Sequence, residues 1–329
     1  MRFFPRTSVD FVGKRHIWYT VSSTLILIGL ITVGIRGLNY GIGFVGGEEL
    51  TLESTPGMQI AQIRSALNKI GHGDAEITTY GVKNQYLIRV KASEEQSANT
   101  SAQVMNVLRT TYPTTHFTLL EDNKVGPEIG AEMRRDAVMA IFYALLFILV
   151  YVTIRFQFIY AVGAVLALFH DVLITLGAVA ICSWLIPWLN LQINQTMVAA
   201  FLTLVAYSMN DTVVIFDRIR ENLKLYKGEN LIRVMNRSIN DTLSRTIITS
   251  GTAFAVLLAL LIFGGEVTRG FAFAMLVGVT TGTYSSIYVA SAIVVDYNVY
   301  IKKVDLKVPA TQSPVLEIER PYEVAAKRA

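Results

Sequence analysis

Six long apolar stretches recur along the chain, and its polar residues are concentrated between the first stretch and the second. The stretches cover residues 17–35, 137–155, 158–183, 196–216, 246–264 and 270–296. About 20 apolar residues are enough for a helix to cross the roughly 30 Å hydrocarbon core of a bilayer. Each stretch is therefore predicted to be a transmembrane helix. No small-residue cleavage site follows the first, so we predict that this helix is not removed.

The polar region at residues 36–136 has the pattern of a small α+β domain. It is predicted as strand, helix, strand, strand, helix and strand over residues 47–53, 57–70, 75–80, 85–91, 94–111 and 115–121. Thr55–Pro56, and Ser93 with Gln96, mark the predicted helix starts. The βαββαβ order is that of a ferredoxin-like fold. We expect a binding or mechanical domain, with a plain structural cap as the alternative.

Composition agrees with a polytopic membrane protein, because 52% of the residues are hydrophobic and only 16% are charged. Soluble domains carry about 25% charged residues. The net charge of +4 does not indicate a nucleic-acid partner. Basic residues precede the first stretch, lie between the fourth and fifth, and follow the sixth: Arg2, Arg6, Lys14, Arg15, Arg218, Arg220, Lys224, Lys227, Arg233, Arg237, Lys302, Lys303 and Lys307. The positive-inside rule then places both termini in the cytoplasm and the polar domain on the other side.

This topology divides the chain into segments with different surroundings. They are a cytoplasmic N-terminus (1–16), the first transmembrane helix (17–35), an extracytoplasmic domain with its linker (36–136), a five-helix bundle (137–296) and a cytoplasmic tail (297–329). Within the bundle, the basic stretch at 217–245 is predicted to be an amphipathic segment at the cytoplasmic interface. Its alternating charges suggest a fixed network of Asp217, Arg218, Arg220 and Glu221. A solvated charged face is the alternative.

An aspartate inside the fourth apolar stretch is the strongest candidate for chemistry. A carboxylate near the middle of a transmembrane helix costs about 2.5–3.5 kcal/mol, so Asp211 is expected to have a function. Tyr207 and Asn210 share its predicted helix face. Arg245, with Thr249 one turn on, begins the fifth stretch and is the expected basic partner. Either Asp211 gains and loses a proton while Arg245 stays charged, or the two form a static ion pair.

A second polar position lies in the third apolar stretch, where His170 and Asp171 are adjacent. They are nearer the middle of their segment and could form a second polar station in the membrane. The alternative is that the two side chains bond each other or a neighbouring backbone group.

Nothing in the sequence indicates an enzyme. Gly46–Gly47 and Gly264–Gly265 lack the remaining residues of a phosphate-binding loop. We therefore expect no catalytic residues, no cofactor and no metal. The motifs Gly278-x-x-x-Gly282 and Gly163-x-x-x-Ala167 predict closely packed helices and imply no chemistry.

The polar positions occur in motifs that resemble those of a known family. The run from Tyr207 to Asn222, YSMNDTVVIFDRIREN, resembles the fourth-helix signature of the SecF family, which belongs to the RND superfamily. Similar motifs occur in the other helices: Val125–Gly126–Pro127, His170–Asp171–Val172, Asn240–Asp241–Thr242–Leu243–Ser244–Arg245 and Ser285–Ser286–Ile287–Tyr288. The resemblance spans about residues 36–295.

The resemblance implies a six-helix bundle of RND type that carries one ferredoxin-like extracytoplasmic domain. It implies a subunit of the bacterial inner membrane that pairs with SecD. Such a complex uses the proton gradient, or in some bacteria the sodium gradient, to help draw preproteins out of the SecYEG channel, and accessory subunits of the YajC type are further expected partners. By motif, Asp211 would be the ion-relay acid and Arg245 its basic partner. Tyr207, Asn210, Thr249, His170 and Asp171 would support them.

Three positions depart from the family pattern. Gly43 stands where the family has an aspartate, and Glu48 follows where a threonine is common. Ala206 replaces the usual glycine before Tyr207. If the family aspartate at position 43 helps to order the base of the extracytoplasmic domain (36–136), this chain must do so without it.

Two other functions fit a polytopic chain with a buried acid. One is an RND exporter of small molecules or lipids, although six helices and one small domain leave little room for a pocket. The other is a scaffold that transports nothing, in which Asp211 and Arg245 only hold helices together.

Overall fold

The computed structural model describes residues 7–73, 75–79, 84–91, 100–186, 189 and 191–301, and of residues 266 and 267 the backbone alone. The predicted capping box at Ser93 and Gln96 and the tail beyond Ile301 lie outside these residues. In chain order the elements are α1 (Arg15–Arg36), α2 (Ile42–Val45), β1 (Gly47–Thr55), α3 (Ile60–Asn68), β2 (Glu76–Thr79), β3 (Gln85–Lys91), α4 (Thr100–Thr111), β4 (His116–Val125), α5 (Pro127–Arg155), α6 (Phe158–Leu185), α7 (Gln195–Leu225), α8 (Leu231–Phe263), α9 (Glu266–Ser285) and α10 (Ser291–Asp296).

The six predicted transmembrane helices are confirmed, so the chain is a multi-pass membrane protein. Within the described residues, six helical spans are long and apolar enough to cross a bilayer: Val12–Arg36, Pro127–Arg155, Phe158–Leu185, Gln195–Leu225, Leu231–Phe263 and Thr268–Ile301. The last span contains α9 and α10, joined and followed by π-helical turns at Ser286–Ala290 and Tyr297–Ile301. Most spans are longer than their apolar stretches, because polar turns continue the helices at one or both ends.

Four strands form one antiparallel sheet in the order β2-β3-β1-β4, which is the arrangement predicted from the βαββαβ pattern. Leu50 and Leu52 of β1 lie on the buried side with Ile63 and Leu67 of α3 and Leu108 of α4. The two helices therefore cover one face of the sheet. Their apolar residues form a core separate from the core of the membrane helices.

The predicted start of α3 at Thr55–Pro56 is wrong. Strand β1 continues to Thr55, and α3 begins only at Ile60. The Gln62 side chain accepts a hydrogen bond of 3.0 Å from the backbone N–H of Gln59, so these two glutamines form the cap. Proline is favoured in the first turn of helices, but here the strand pairing extends through the preceding residues and takes precedence.

The bundle has an inner set and an outer set of helices. Half or more of the most apolar part of α6, of α7 and of the last span is buried, whereas most of α1, α5 and α8 is exposed. Outward apolar residues include Phe147 and Ile154 of α5 and Phe263 of α8. Apolar exposure on this scale is expected where lipid or another membrane protein covers a helix.

Glycines allow the inner helices to approach closely, as the small-residue motifs predicted. A Cβ on Gly278 would lie 2.5 Å from Leu204, and one on Gly282 would lie 2.8 Å from Ser208, so α9 packs directly on α7. A Cβ on Gly29 of α1 would lie 2.8 Å from the Cα of Gly177 in α6. Backbone contacts of this kind are typical of membrane helices without bulky side chains at the interface.

The stretch at 217–245, predicted to be an amphipathic segment at the cytoplasmic interface, is part of two long helices. It forms the end of α7 and the start of α8, which are joined by a short turn at 226–230. Ile219, Met235 and Ile239 are fully buried and belong to the bundle core. These apolar residues pack against neighbouring helices.

The domain that contains the sheet (β1 to β4 with α3 and α4), here called the outer domain, is attached to the bundle at several points near α2. The linker residue Tyr40 pairs with Ile193 as an isolated parallel bridge, and the N–H of Gly41 donates to the carbonyl of Ile193 at 3.0 Å. Arg134 of α5 donates to the carbonyl of Phe44 in α2, and its guanidinium lies 5.8 Å from the ring centre of Tyr40. The side chain of Gln192 donates to Glu76 of β2. These contacts fix the base of the sheet to the loop before α7.

The two departures near α2 differ in their consequences. A Cβ on Gly43 would meet only Met133, at 3.9 Å, so the glycine is not required by close packing. Glu48 is buried and accepts from the backbone N–H of Ser101 at 3.1 Å, and it forms an ion pair with Lys124 at 3.0 Å. A glutamate at this position therefore joins β1 to β4 and to the first turn of α4, where negative charge is favourable.

The pKa of Glu48 predicts how the outer domain responds to acid. Burial alone would raise the pKa, but the hydrogen bonds from Lys124 and Ser101 outweigh it and hold the pKa below the ordinary glutamate value. A lowered pKa contributes stability above the ordinary value, and this stability is lost as the pH falls through the lowered one. Glu48→Gln should cost about 1 kcal/mol at neutral pH and flatten the acid dependence, measured by thermal unfolding of the full chain. The exposed Glu121→Gln is the matched control, and equal effects of the two variants would contradict the assignment.

Candidate functional site

Asp211 lies in the interior of the bundle, one residue past the midpoint of α7. The residue is only 5% exposed. Its Oδ2 accepts a hydrogen bond of 3.1 Å from the hydroxyl of Ser250 in α8, which is its only hydrogen bond among the described residues. The hydroxyl of Thr246, one turn before Ser250, is buried without a described partner. The carboxylate therefore faces α8 across a small, incompletely bonded polar surface.

The structure does not bring Arg245 into contact with Asp211. No ion pair within 4.0 Å joins them, and Arg245 is exposed on the outer side of α8. Thr246 and Ser250 are the α8 residues that face α7, so the face carrying Arg245 and Thr249 is rotated outward. Interaction between Asp211 and Arg245 is limited to longer-range electrostatics in this state.

Tyr207 and Asn210, the two residues of α7 that were predicted to support Asp211, differ in burial and in hydrogen bonding. Tyr207 donates to the backbone carbonyl of Thr249 at 3.0 Å and so connects α7 to α8. Asn210 is exposed, and among the described residues its side chain bonds neither Asp211 nor Tyr207. The buried polar residues next to Asp211 on α7 are instead Ser208 and Thr212. The polar face of this helix is thus rotated by part of a turn from the predicted one.

Asp171 is the most fully bonded polar group of the bundle interior. It is completely buried, and Nδ1 of His170 lies 2.9 Å from its Oδ1. Its Oδ2 accepts from the hydroxyl of Ser208 at 2.7 Å and from that of Ser285 at 2.8 Å. His170 and Asp171 do pair, which was the alternative to a second polar station, and the pair is one part of a network that joins α6, α7 and α9.

The network continues to the first helix. Nε2 of His170 lies 3.1 Å from the hydroxyl of Tyr284, and that hydroxyl lies 3.2 Å from the hydroxyl of Ser22 in α1. Close by, the hydroxyls of Thr212 and Ser286 are 2.8 Å apart. Ser286 opens the π-helical turn, a feature often found at functional sites.

Sequence reasoning missed Ser22, Ser208, Tyr284 and Ser285 as members of this network. Ser208 precedes Asp211 by one helical turn, so its buried position could have been inferred from spacing. The other three lie on helices whose relative positions the sequence does not encode locally. Serine and tyrosine in apolar helices are also too common to identify a site alone.

The charged residues at the end of α7 form the expected network and extend beyond it. Arg218 donates to Asp241 of α8 through Nε at 3.0 Å and Nη2 at 2.6 Å, and through Nη1 to Glu221 at 2.8 Å. Arg220 donates to Asp217 at 3.0 Å, and Arg155 of α5 lies 3.3 Å from the same carboxylate. The network thus joins the ends of three helices.

Within the described part of the chain, no group of three or more histidine, cysteine, aspartate or glutamate residues is placed to hold a metal ion. The site consists of hydrogen-bonded polar side chains around two buried carboxylates, Asp171 and Asp211. The arrangement is suited to gaining and losing protons and to holding helices in register.

Comparison with known proteins identifies the family. A family model described as "Protein export membrane protein SecD/SecF, C-terminal" matches residues 103–300. The protein translocase subunit SecF of Rhodothermus marinus is 45% identical over 296 residues, which cover 90% of this chain and 95% of the relative. The chain belongs to the SecF family. A second SecF, from Calditerrivibrio nitroreducens, is 41% identical over 88% of this chain and 93% of its own length.

Solved structures of this family share the fold of the chain. The crystal structure of SecDF from Thermus thermophilus, a translocon-associated membrane protein, is 38% identical, with a TM-score of 0.73 over 89% of this chain. A structure of SecDF in a super-membrane-facing form is 36% identical, with a TM-score of 0.68 over 92% of this chain. This SecF-family chain spans only 39% and 40% of those two chains.

The charge network predicts unequal effects of two neighbouring arginines. Arg218→Gln removes the two hydrogen bonds from Arg218 to Asp241 of α8, whereas Arg220→Gln removes an ion pair to Asp217 within α7. Because Arg218 is the more buried of the two, its loss should lower the free energy of unfolding by about 1–2 kcal/mol, and the loss of Arg220 by about 0.5 kcal/mol. Thermal unfolding in detergent measures the difference. The reverse order would show that the network does not couple the helices as described.

Proposed function

We propose that this SecF-family chain assists the translocation of preproteins across the bacterial inner membrane as one half of a complex with SecD. Its relatives are named protein translocase subunits, and the similar solved chains are SecDF proteins in which it corresponds to less than half of the length. The exposed apolar faces of α1, α5 and α8 provide surfaces on which a second membrane subunit can pack. The SecYEG channel, YajC-type accessory subunits and the translocating preprotein are the further proposed partners.

In this proposal Asp211 is the group through which an ion gradient acts, with Arg245 as its basic partner. The observation that carries it is the burial of Asp211 without an ion pair. An unpaired carboxylate in an apolar interior is costly when ionised, and taking up a proton removes that cost. A movement of α8 that brought Arg245 inward would instead favour the ionised form. Protonation and helix position would then depend on each other.

The available energy is sufficient to drive such a change. Moving one elementary charge across the membrane potential provides about 2.3 kcal/mol per 100 mV. A conformational equilibrium responds by about tenfold for every 1.4 kcal/mol, so one proton per cycle shifts the populations considerably. Removing the titratable group should abolish this coupling without removing the fold.

Asp211→Asn should therefore abolish the gradient-dependent part of secretion. The asparagine retains a hydrogen bond to Ser250 but cannot release a proton. The measurement is preprotein translocation into vesicles that contain SecYEG and the SecD complex, with and without an ionophore. Both insertion of the variant and its binding to SecD should be unchanged.

The matched control is Asp136→Asn, an exposed aspartate of α5. It should secrete at the wild-type rate and keep the full response to the ionophore. If Asp211→Asn also kept that response, Asp211 would be a structural residue and the chain a scaffold.

We further propose that both termini and the charge network lie in the cytoplasm and that the sheet domain lies on the opposite side. Single cysteines introduced at the exposed positions Ser8 and Thr118, in a Cys182→Ala background, test this orientation. A membrane-impermeant thiol reagent applied to intact spheroplasts should label position 118 and leave position 8 unlabelled until the membrane is opened. Labelling of position 8 from outside would reverse the proposed topology.

A further inference from the structure

The second buried carboxylate, Asp171, has a hydrogen-bond arrangement that fixes where protons can reside. Its Oδ2 accepts hydrogen bonds from the hydroxyls of Ser208 and Ser285, and these two bonds occupy both lone pairs of that oxygen. Its Oδ1 faces Nδ1 of His170 at 2.9 Å. When Asp171 is ionised, its carboxylate can only accept hydrogen bonds, and Nδ1 of His170 then carries the hydrogen. The neutral histidine then leaves Nε2 as an acceptor.

Charge balance at this position depends on a proton, because no arginine or lysine forms an ion pair with Asp171 among the described residues. The titratable group that faces it from α6 is His170, and the one that faces the histidine from α9 is Tyr284. On α7, Asp211 is turned toward α8 and bonds Ser250. With neutral histidine the cluster carries one uncompensated negative charge in the bundle interior, which is costly.

Among the described residues, the remaining elements around the cluster bring no arginine or lysine into an ion pair with Asp171. From α1 the contacting group is the hydroxyl of Ser22, while Arg15 of the same helix is paired with Asp296 at 2.8 Å. The hydrophobic residues that α5 packs against this core are Leu145, Ile148, Leu149 and Val152, while its Arg134 donates to Phe44 and its Arg155 is paired with Asp217. One added proton makes the cluster neutral, and Nε2 of His170 is the free acceptor that can take it.

We propose that His170 and Asp171 form a second proton-binding site of this chain, separate from Asp211, in which the exchangeable proton resides on Nε2 of His170. In the site without this proton, Tyr284 donates its hydroxyl hydrogen to Nε2. When a proton binds, Nε2 becomes the donor, and Tyr284 accepts from it and donates to Ser22 instead. The hydrogen-bond direction between α9 and α1 therefore reverses, while the bonds from Asp171 to α7 and α9 stay in place.

The geometry also links the imidazole to two hydroxyls through which a proton can move. Asp171 and His170 are buried, whereas Tyr284 is half-buried at the contact between α9 and α1. A hydroxyl that lies within 3.1 Å of the imidazole and 3.2 Å of Ser22 can pass a proton by rotation. The occupied and empty states differ by one charge at a position that contacts four helical segments, so occupancy is linked to their packing.

The test is nitrogen NMR of the full chain, labelled with ¹⁵N-histidine and reconstituted with unlabelled SecD in lipid bilayers. The chain has four histidines, and the signal lost in His170→Gln identifies the relevant one. When the sample is brought from about pH 8 to about pH 5, its signals should change from one protonated nitrogen to two. Asp171→Asn should lose this change, because an amide cannot balance the charge of an imidazolium ion in the bundle interior.

A pair of tyrosine variants separates a proton site from a purely structural bond. Both Tyr284 and Tyr288 stack on the ring of Trp18, at 5.3 Å and 4.6 Å, and phenylalanine preserves the ring in each case. Tyr284→Phe should shift the Nε2 signal and displace the pH of the change, whereas Tyr288→Phe should leave both as in the wild type. Asp211→Asn should also leave them unchanged, which keeps this site distinguishable from the proposed relay.

The proposal is overturned if His170 retains one unprotonated nitrogen throughout this range. It is equally overturned if Tyr284→Phe gives the wild-type spectrum and titration. Should Asp171→Asn fail to insert into the membrane, the comparison of the two tyrosine variants decides the matter alone.

Discussion

Burial of two carboxylates in one helix bundle, neither with an arginine or lysine partner among the described residues, is the constraint on which the surrounding arrangement depends. Asp171 receives three hydrogen bonds and Asp211 receives one. Ser208 connects the two positions, since it bonds Asp171 and precedes Asp211 by one turn of α7. The bond from Ser208 fixes the rotation of α7, and this rotation directs Asp211 toward Ser250. One carboxylate therefore orients the helix that carries the other.

Close packing makes this bonding possible. Gly278 and Gly282 allow α9 to lie against Leu204 and Ser208 of α7, and this brings Ser285 within reach of Asp171. The π-helical turn that follows accommodates the hydroxyls of Ser286 and Ser291, which bond Thr212 and the Ser286 carbonyl. A bulkier residue at either glycine would separate the helices and leave buried polar groups without partners, and such groups cost about 1–3 kcal/mol each.

The outer domain is connected to this interior through the chain segment that leads into α7. Ile193, just before the helix, pairs with the linker after α1, and Gln192 bonds the sheet. A displacement of the sheet would therefore act on the start of the helix that carries Asp211.

The sequence by itself determined the six membrane helices, the βαββαβ order, the family motifs and the presence of buried acids, because apolar length, alternation and charge are local properties of the chain. It could not determine which residues meet. Arg245 was expected beside Asp211 and lies exposed, while Ser250 takes the bond. His170 and Asp171 could have formed a polar station or simply bonded each other, and they bond each other within a network that includes Ser208, Ser285 and Tyr284. Those contacts depend on helix rotation and on glycine-allowed separations between segments distant in sequence, and only the tertiary structure decides these.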